Sequence, residues 1–554
     1  MIKKGSFVNK SAAVWFPILL FSLTYLVLGF HYETNDDLTI SWLLRGIAIQ
    51  PPLTDLSLYF HGLSHLLVQL YKLVPQWPWY GLVLYALLYV ATVAAFLFLR
   101  RSASHNNRNI LGWFLLFFLA GWYEHVFWFN YMRVPLLLAG TGYLLLLQLP
   151  GKKSNGLLLV VTGLLFLLAL CIRPSAALLG VAVAGPATFL LTAGSVYSWQ
   201  KLRPIILYAG LGACFFIFLH LAQTPAQKQY QRLDWLKSTV LDFQIYRPQP
   251  QTQTDALAFR ALNQWLLADT QVINEAFYAR AGSINLAYIL KEVAPLKVSP
   301  LVIGLVKDHF LILAVNAFLL LFLFRNQSPD SVQNRKLLFA YQVYFWLLIL
   351  VVGIFLKLPP RVITPCLSLY TLVNSSIYFR AGINDQIKLK TGKIIGLVLI
   401  MLVMLQLYKI KQRARWQQKN QLANESFISA AGNSFEGKIL VTNTLPDYFR
   451  SLSPFRNYDF NSNYVFLLTG WSTLEPANRL YYKKLTGQTN FVKTVESLSR
   501  NNSAVWLLSP GFYEFIRQYF FTFHRQEINL QIAPDWVNGQ YPGQTYKSIG
   551  SPPL

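Results

Sequence analysis

The chain has 554 residues, 54% hydrophobic and 15% aromatic, and only 13% are charged, about half the charged fraction of an average soluble protein. Apolar runs near the roughly 20 residues needed to cross a bilayer recur along most of its length, which excludes an ordinary soluble enzyme and points to a polytopic membrane protein. A net charge of +25 would suit a nucleic-acid binder, but many of its lysines and arginines gather in the short connections on one side of the spans, the positive-inside pattern, so nucleic acid is excluded as a partner.

Lys3, Lys4 and Lys10 lead into an apolar run over 12–30. No small-residue cleavage site follows, so it reads as an uncleaved first span with its N-terminus inside. The first outer loop, 31–78, is too apolar for a plain loop: Leu38–Ile49 and Leu53–Leu73 carry the pattern of amphipathic helices lying along the membrane surface, broken by Pro51-Pro52. Trp77, Trp79 and Tyr80 form an interfacial aromatic belt before span 2, at 79–99. Spans 3 to 7 are placed at 110–129, 133–149, 156–172, 174–194 and 204–222. A long outer segment follows over 223–300, rich in Gln, with a helical pattern at Asp255–Leu267.

Span 8 falls within 301–324, and spans 9, 10 and 11 cover 337–356, 362–379 and 394–410. An odd span count puts the C-terminus outside and leaves Arg100–Arg108, Lys152–Lys153, Lys201–Arg203, Arg325–Lys336 and Arg380–Lys393 as cytoplasmic connections. From 411 the composition turns soluble. Arg413–Ala431 has a helical pattern, and Ile439–Thr442, Tyr464–Leu468 and Val505–Leu508 read as buried strands between helical stretches at Leu474–Leu485, Val492–Ser499 and Phe512–Phe521. The expected fold is an α-helical polytopic membrane module, 1–410, followed by a small extracytoplasmic α/β domain, 411–554. No Gly-rich loop follows a strand in that domain, so it is assigned no nucleotide. Cys171, Cys214 and Cys366 are isolated and offer neither a disulfide framework nor metal spacing.

The unusual polar residues map to the outer ends of spans. His31-Tyr32-Glu33-Thr34-Asn35-Asp36-Asp37 sets three carboxylates within five residues directly after span 1. Like charges this close resist simultaneous ionisation, which suits one of them to accepting a proton; Asp37 also suits the cap of the helix that follows. Glu124-His125, Arg133, Arg173, Lys307-Asp308-His309 and Arg361 lie at other outer ends. Ionisable groups at membrane depth are costly and are usually paired or functional, so these acids and arginines are expected to converge on a cavity open to the exterior. The plainer accounts are arginines anchoring to headgroups, Glu124-His125 as an internal hydrogen-bonded pair, and Lys307-Asp308-His309 as an ion pair at the rim. His61 and His65 sit four apart on one helical face, where surface packing is a simpler account than a metal pair.

The acidic motif after the first span, the surface helices with Pro-Pro before the second, and the many spans ending in a soluble outer domain resemble the GT-C glycosyltransferase superfamily. Arg361-Val-Ile-Thr-Pro365 is similar to its Arg-aromatic-x-x-Pro element, with Val362 in the aromatic place, and Cys171-Ile-Arg-Pro-Ser175 is similar to an Arg-Pro element of bacterial relatives. The resemblance implies an inverting glycosyltransferase that takes a sugar from a polyprenyl-phosphate lipid to a glycan, lipid or protein acceptor, outside a bacterial cytoplasmic membrane. It implies Asp36 or Asp37 as general base, Arg361 first and then Arg173 or Arg133 on the donor phosphate, and Glu33 on sugar, acceptor or a divalent cation such as Mg or Mn; metal dependence is left open. Glu124, His125, Lys307, His309 and His61 are the further candidates for a substrate pocket. Two other readings stay open: an O-antigen ligase or polymerase, against which stands the absence of histidine in 223–300, and a transporter or lipid flippase, which should carry inverted repeats and midplane polar sites.

Overall fold

The computed structural model describes residues 5–103, 110–148, 156–192, 199–325, 331–381, 389–460, 464–533 and 544–548; Lys3, Lys4, Arg108, Lys152, Lys153 and Lys388 of the expected cytoplasmic connections lie outside them. Eight helices among these residues are long and apolar enough to cross a membrane: Trp79–Ser102, Ile110–Phe127, Pro174–Leu191, Leu202–Ala222, Leu286–Arg325, Arg335–Phe355, Pro360–Arg380 and Ile394–Ser434. Three shorter apolar helices, Ala12–Leu28, Arg133–Leu146 and Gly156–Ile172, fall on expected spans 1, 4 and 5. Each expected span thus falls on a helix over most of its described length, the conformation that satisfies backbone N–H and C=O groups within one segment where no water reaches them. Two of these helices overrun their expected starts or ends: the eighth begins at Leu286, and the last belongs to one uninterrupted helix, Leu389–Ser434.

The chain forms two compact units. The first comprises Met1–Glu33, Tyr80–Ala222 and Leu296–Gln418; the second comprises Thr34–Trp79, Gln223–Pro295 and Lys419–Leu554.

In the first unit Pro360–Arg380 is almost wholly buried. Its neighbours pack through small residues: a Cβ on Gly140 would meet Leu369 Cδ1 at 2.2 Å, and one on Gly180 would meet the Leu136 carbonyl oxygen at 2.2 Å. Backbone approach of this kind takes the place of the hydrophobic drive that lipid cannot supply. Two short extended segments break the helical pattern. β1 (His31–Tyr32) leaves the first helix and pairs in parallel with β2 (Trp128–Phe129), which the sequence had placed inside span 3.

In the second unit the first loop holds two helices, Asp36–Arg45 and Leu63–Leu73. The expected helix over Leu53–Leu73 is therefore only half formed. Phe60 and Gly62 take φ values of 55° and 76°, which an α-helix does not tolerate, so the chain stays irregular until Leu63. His61 consequently lies ahead of the helix that carries His65, and the two do not share a helical face. From the long outer segment, β3 (Tyr246–Pro248) and β4 (Gly282–Ile284) form an antiparallel pair. The C-terminal region builds a five-stranded sheet from β5 (Ile439–Thr442), β6 (Tyr464–Leu467), β7 (Ala504–Leu508), β8 (Leu530–Ile532) and β9 (Gln544–Ser548), in the order β6-β5-β7-β9-β8. β6, β5 and β7 are parallel and crossed over by helices, whereas β9 and β8 run antiparallel. The first three match the buried apolar runs of the sequence. The last two went unread because Gln-Thr-Tyr-Lys-Ser and Leu-Gln-Ile lack such a run. One hydrophobic core joins this sheet to the long outer segment, with Leu262, Leu266 and Phe277 in the same cluster as Val441, Trp506 and Phe515.

Candidate functional site

The β1–β2 pairing does the positioning in the first unit. The residue after β1, Glu33, donates its backbone N–H to the Phe129 carbonyl at 2.7 Å, which sets its side chain beside Arg133, the first residue of the next helix. Arg133 is fully buried; its Nη2 donates to Glu33 Oε2 at 2.7 Å. Arg361 Nη1 lies 3.6 Å from the other oxygen, Oε1. Arg133 Nη1 reaches back to His125 Nδ1 at 3.1 Å. A guanidinium has only donors, so Nδ1 is the acceptor and the imidazole proton rides on Nε2, which donates to Ser368 Oγ at 3.0 Å.

Glu124, adjacent in sequence, faces a second set of partners. Arg413 Nη1 donates to its Oε1 at 3.0 Å, Tyr123 Oη donates to the same atom at 3.2 Å, and Thr364 Oγ1 donates to Oε2 at 3.1 Å. Arg413 also lies 3.8 Å from Asp308, whose Oδ1 accepts from Lys409 Nζ at 2.6 Å. The Trp128 ring joins the two sets, with the Arg413 and Arg133 guanidinium carbons 4.8 and 6.0 Å from its centroid. Local structure makes this possible. Phe118–Trp122 winds as a π-helix just ahead of Glu124 and His125, and its wider turn changes the direction in which the following side chains leave the helix. Arg361, Thr364 and Ser368 follow an i, i+3, i+7 spacing and so present one stripe of Pro360–Arg380.

Three carboxylates, Glu33, Glu124 and Asp308, meet four cations, Arg133, Arg361, Arg413 and Lys409, with His125 neutral, so the network carries one positive charge in excess. That excess is centred on Arg361. Its side chain is 19% exposed where Arg133 shows none, its ion pair with Glu33 is the loose one, and its Nε, like that of Arg133, has no hydrogen-bond partner among the described residues. It sits in the first turn of a helix, where the backbone dipole adds positive potential. A half-buried cation of this kind, with donor capacity to spare, suits an anion.

The other sequence candidates are placed as follows. Arg173 immediately precedes the helix that starts at Pro174 and donates to Tyr131 Oη at 3.2 Å. Lys307 is exposed, and its carbonyl accepts from Lys409 at 2.7 Å. His309 is buried at a break in its helix, with φ −123° and ψ 20°. His61 is half-buried in the second unit. Asp36 and Asp37 belong to the second unit as well. Asp36 Oδ1 accepts from Trp471 Nε1 at 3.0 Å and its Oδ2 from Thr34 Oγ1 at 3.3 Å, while Asp37 is fully buried. Asn35, not Asp37, occupies the cap position, and both aspartates lie in the first helical turn, where the dipole favours negative charge. Among the described residues no group of three or more His, Cys, Asp or Glu side chains is arranged to hold a metal ion. Both Glu33 oxygens face guanidinium groups, so Glu33 does not present itself as a cation ligand.

Arg413 and Lys409 were missed by the sequence reading, which ended the last span at 410. Their signal was the i, i+4 spacing of two cations on a helix that continues past the apolar stretch.

No protein-family description matches the chain, and no curated protein does. Two solved structures of ArnT from Cupriavidus metallidurans are similar to it. One, bound to undecaprenyl phosphate, shows 11% identity and a TM-score of 0.40 over 98% of this chain and 99% of its own. The other, in the apo state, shows 12% identity and a TM-score of 0.39 over 98% and 100%. Likeness of that depth leaves the chemistry to be read from this chain's own residues.

Proposed function

We propose that the chain is a membrane-embedded glycosyltransferase of the GT-C type, which moves a sugar from a polyprenyl-phosphate donor to a cell-envelope acceptor on the outer side of a bacterial cytoplasmic membrane. The observation that carries this reading is Arg361: a guanidinium at a helix N-terminus, loosely paired with Glu33 and backed by the buried Arg133, which leaves one positive charge for an anionic group. The acceptor hydroxyl attacks the anomeric carbon as the bond to the lipid phosphate breaks, inverting that centre. Asp36 or Asp37 takes the hydroxyl proton, and Arg361 holds the charge that develops on the departing phosphate, with Arg173 as a second cation. Glu33 keeps Arg133 and Arg361 in place and does not hold a cation. On this reading residues 1–410 are the catalytic module, and 411–554 an extracytoplasmic domain.

The test is transfer of labelled sugar from a polyprenyl-phosphate donor by purified protein in nanodiscs. Arg361→Ala is expected to lower kcat by about 10²–10³, the loss seen when one fixed transition-state donor is removed. Asp36→Asn and Asp37→Asn are compared alongside, and one of them is expected to lose turnover while still binding donor. Unchanged kcat in Arg361→Ala removes the assignment of the phosphate site, and full activity in both aspartate variants removes the base.

A further inference from the structure

The second unit contains a cavity that the transferase reading leaves unused. It has a volume of about 320 Å³ and lies between the helix Pro225–Leu241, the turn at 268–271 and the segments 473–482 and 489–492. That volume is at the lower end of the range for pockets that take one small ligand. Tyr230, Tyr482 and Phe491 line it as aromatic groups, Glu475 and Asn478 as buried polar ones, and Arg479 is exposed.

Glu475 is the group that points to a ligand. It is 97% buried, its Oε1 accepts from Ser57 Oγ at 2.6 Å, and its Oε2 is buried with no hydrogen-bond partner among the described residues. A buried carboxyl oxygen left without a donor destabilises the fold unless something supplies one. The neighbouring polar atoms are already engaged: Asn478 Nδ2 donates to the Ser472 carbonyl, and Thr473 Oγ1 to the Gly470 carbonyl. Asp269, which also lines the cavity, is satisfied by Tyr519 Oη at 2.9 Å and by His524 Nε2 at 2.6 Å. A hydroxyl-bearing occupant of the cavity that Glu475 lines supplies a donor of the kind Oε2 lacks.

We propose that this cavity binds one neutral saccharide unit, with a sugar hydroxyl donating to Glu475 Oε2 and the apolar face of the ring against the tyrosine and phenylalanine side chains. Hydroxyls alternating with C–H faces match a wall of carboxyl, amide and aromatic groups. Two buried carboxyls, Glu475 and the already satisfied Asp269, with Arg479 as the lining cation, give no concentrated positive charge to select an anion. Burial raises the Glu475 carboxyl to about 7, and Ser57 donates to Oε1, so Oε2 accepts from a sugar hydroxyl in the ionised form and donates to one in the acid form. The cavity is lined by residues of the second unit alone, and binding tests it without turnover.

The experiment is saturation-transfer difference NMR on the full chain in nanodiscs, with glucose, galactose, N-acetylglucosamine and arabinose as separate probes. At least one is expected to bind saturably. Glu475→Leu is expected to weaken that binding about tenfold, the worth of one hydrogen bond to a buried carboxyl. Ala226→Trp, a change on the wall that leaves Glu475 intact, is expected to abolish it; unchanged thermal midpoints show that each variant folds. If Glu475→Leu does not fold, the wall variant alone decides. Saturable binding by none of the four sugars, or binding undiminished in the folded variants, overturns the proposal.

Discussion

At the scale of single residues the first unit depends on charges that neutralise one another out of water. Arg133 and Glu33 are buried to 0% and 4% exposure, so removing one partner strands the other. Arg133→Met is expected to lower stability by about 3–5 kcal/mol, and Glu33→Gln combined with Arg133→Met to recover part of that, since the buried carboxylate is gone and only the more exposed Arg361 loses a partner. Thermal midpoints of the single and double variants in one detergent check this. Glu475 gives the second unit a pH signature. Burial first, with Asp55 adding to it against the Ser57 hydroxyl, raises its carboxyl from 4.5 to about 7. The folded chain therefore keeps a proton that the unfolded chain releases near 4.5. The resulting stabilisation is complete below that value and is lost as pH rises through 7, about 3 kcal/mol in all. Unfolding midpoints measured between about pH 5 and pH 8 are expected to fall for the native chain and to run flatter for Glu475→Gln.

At the scale of elements, close helix packing and one altered helical turn set the geometry. Gly180 lets its helix approach the backbone of Arg133–Leu146 so closely that a Cβ would lie 2.2 Å from the Leu136 carbonyl oxygen. Gly180→Ala is expected to cost about 1–3 kcal/mol, because backbone cannot step aside as a side chain would. Gly163→Ala, whose Cβ would meet Leu211 at an ordinary 3.5 Å, serves as the control in the same thermal assay. The π-helical turn at Phe118–Trp122 holds one residue more than an α-helical turn, and it sets the face on which Glu124 and His125 leave the helix.

At the scale of the whole molecule, the elements and the site were legible to different degrees for a physical reason. Eleven apolar runs read out as helices because a membrane leaves the backbone few alternatives, and the strands β5 to β7 because burial on both faces demands continuous apolar sequence. Partnerships between distant residues left no such trace. Nothing in the local pattern tied Glu124 to Arg413, and the three carboxylates after span 1, adjacent in sequence, divide between two units, Glu33 in one and Asp36 with Asp37 in the other. Those separations bear on how the protein is made. Glu33 emerges from the ribosome 100 residues before Arg133, and Glu124 emerges 289 residues before Arg413. Each acid must be sheltered, protonated or left at the lipid boundary until its guanidinium is synthesised. A nascent chain halted before Arg413 therefore holds Glu124 without the guanidinium that donates to it.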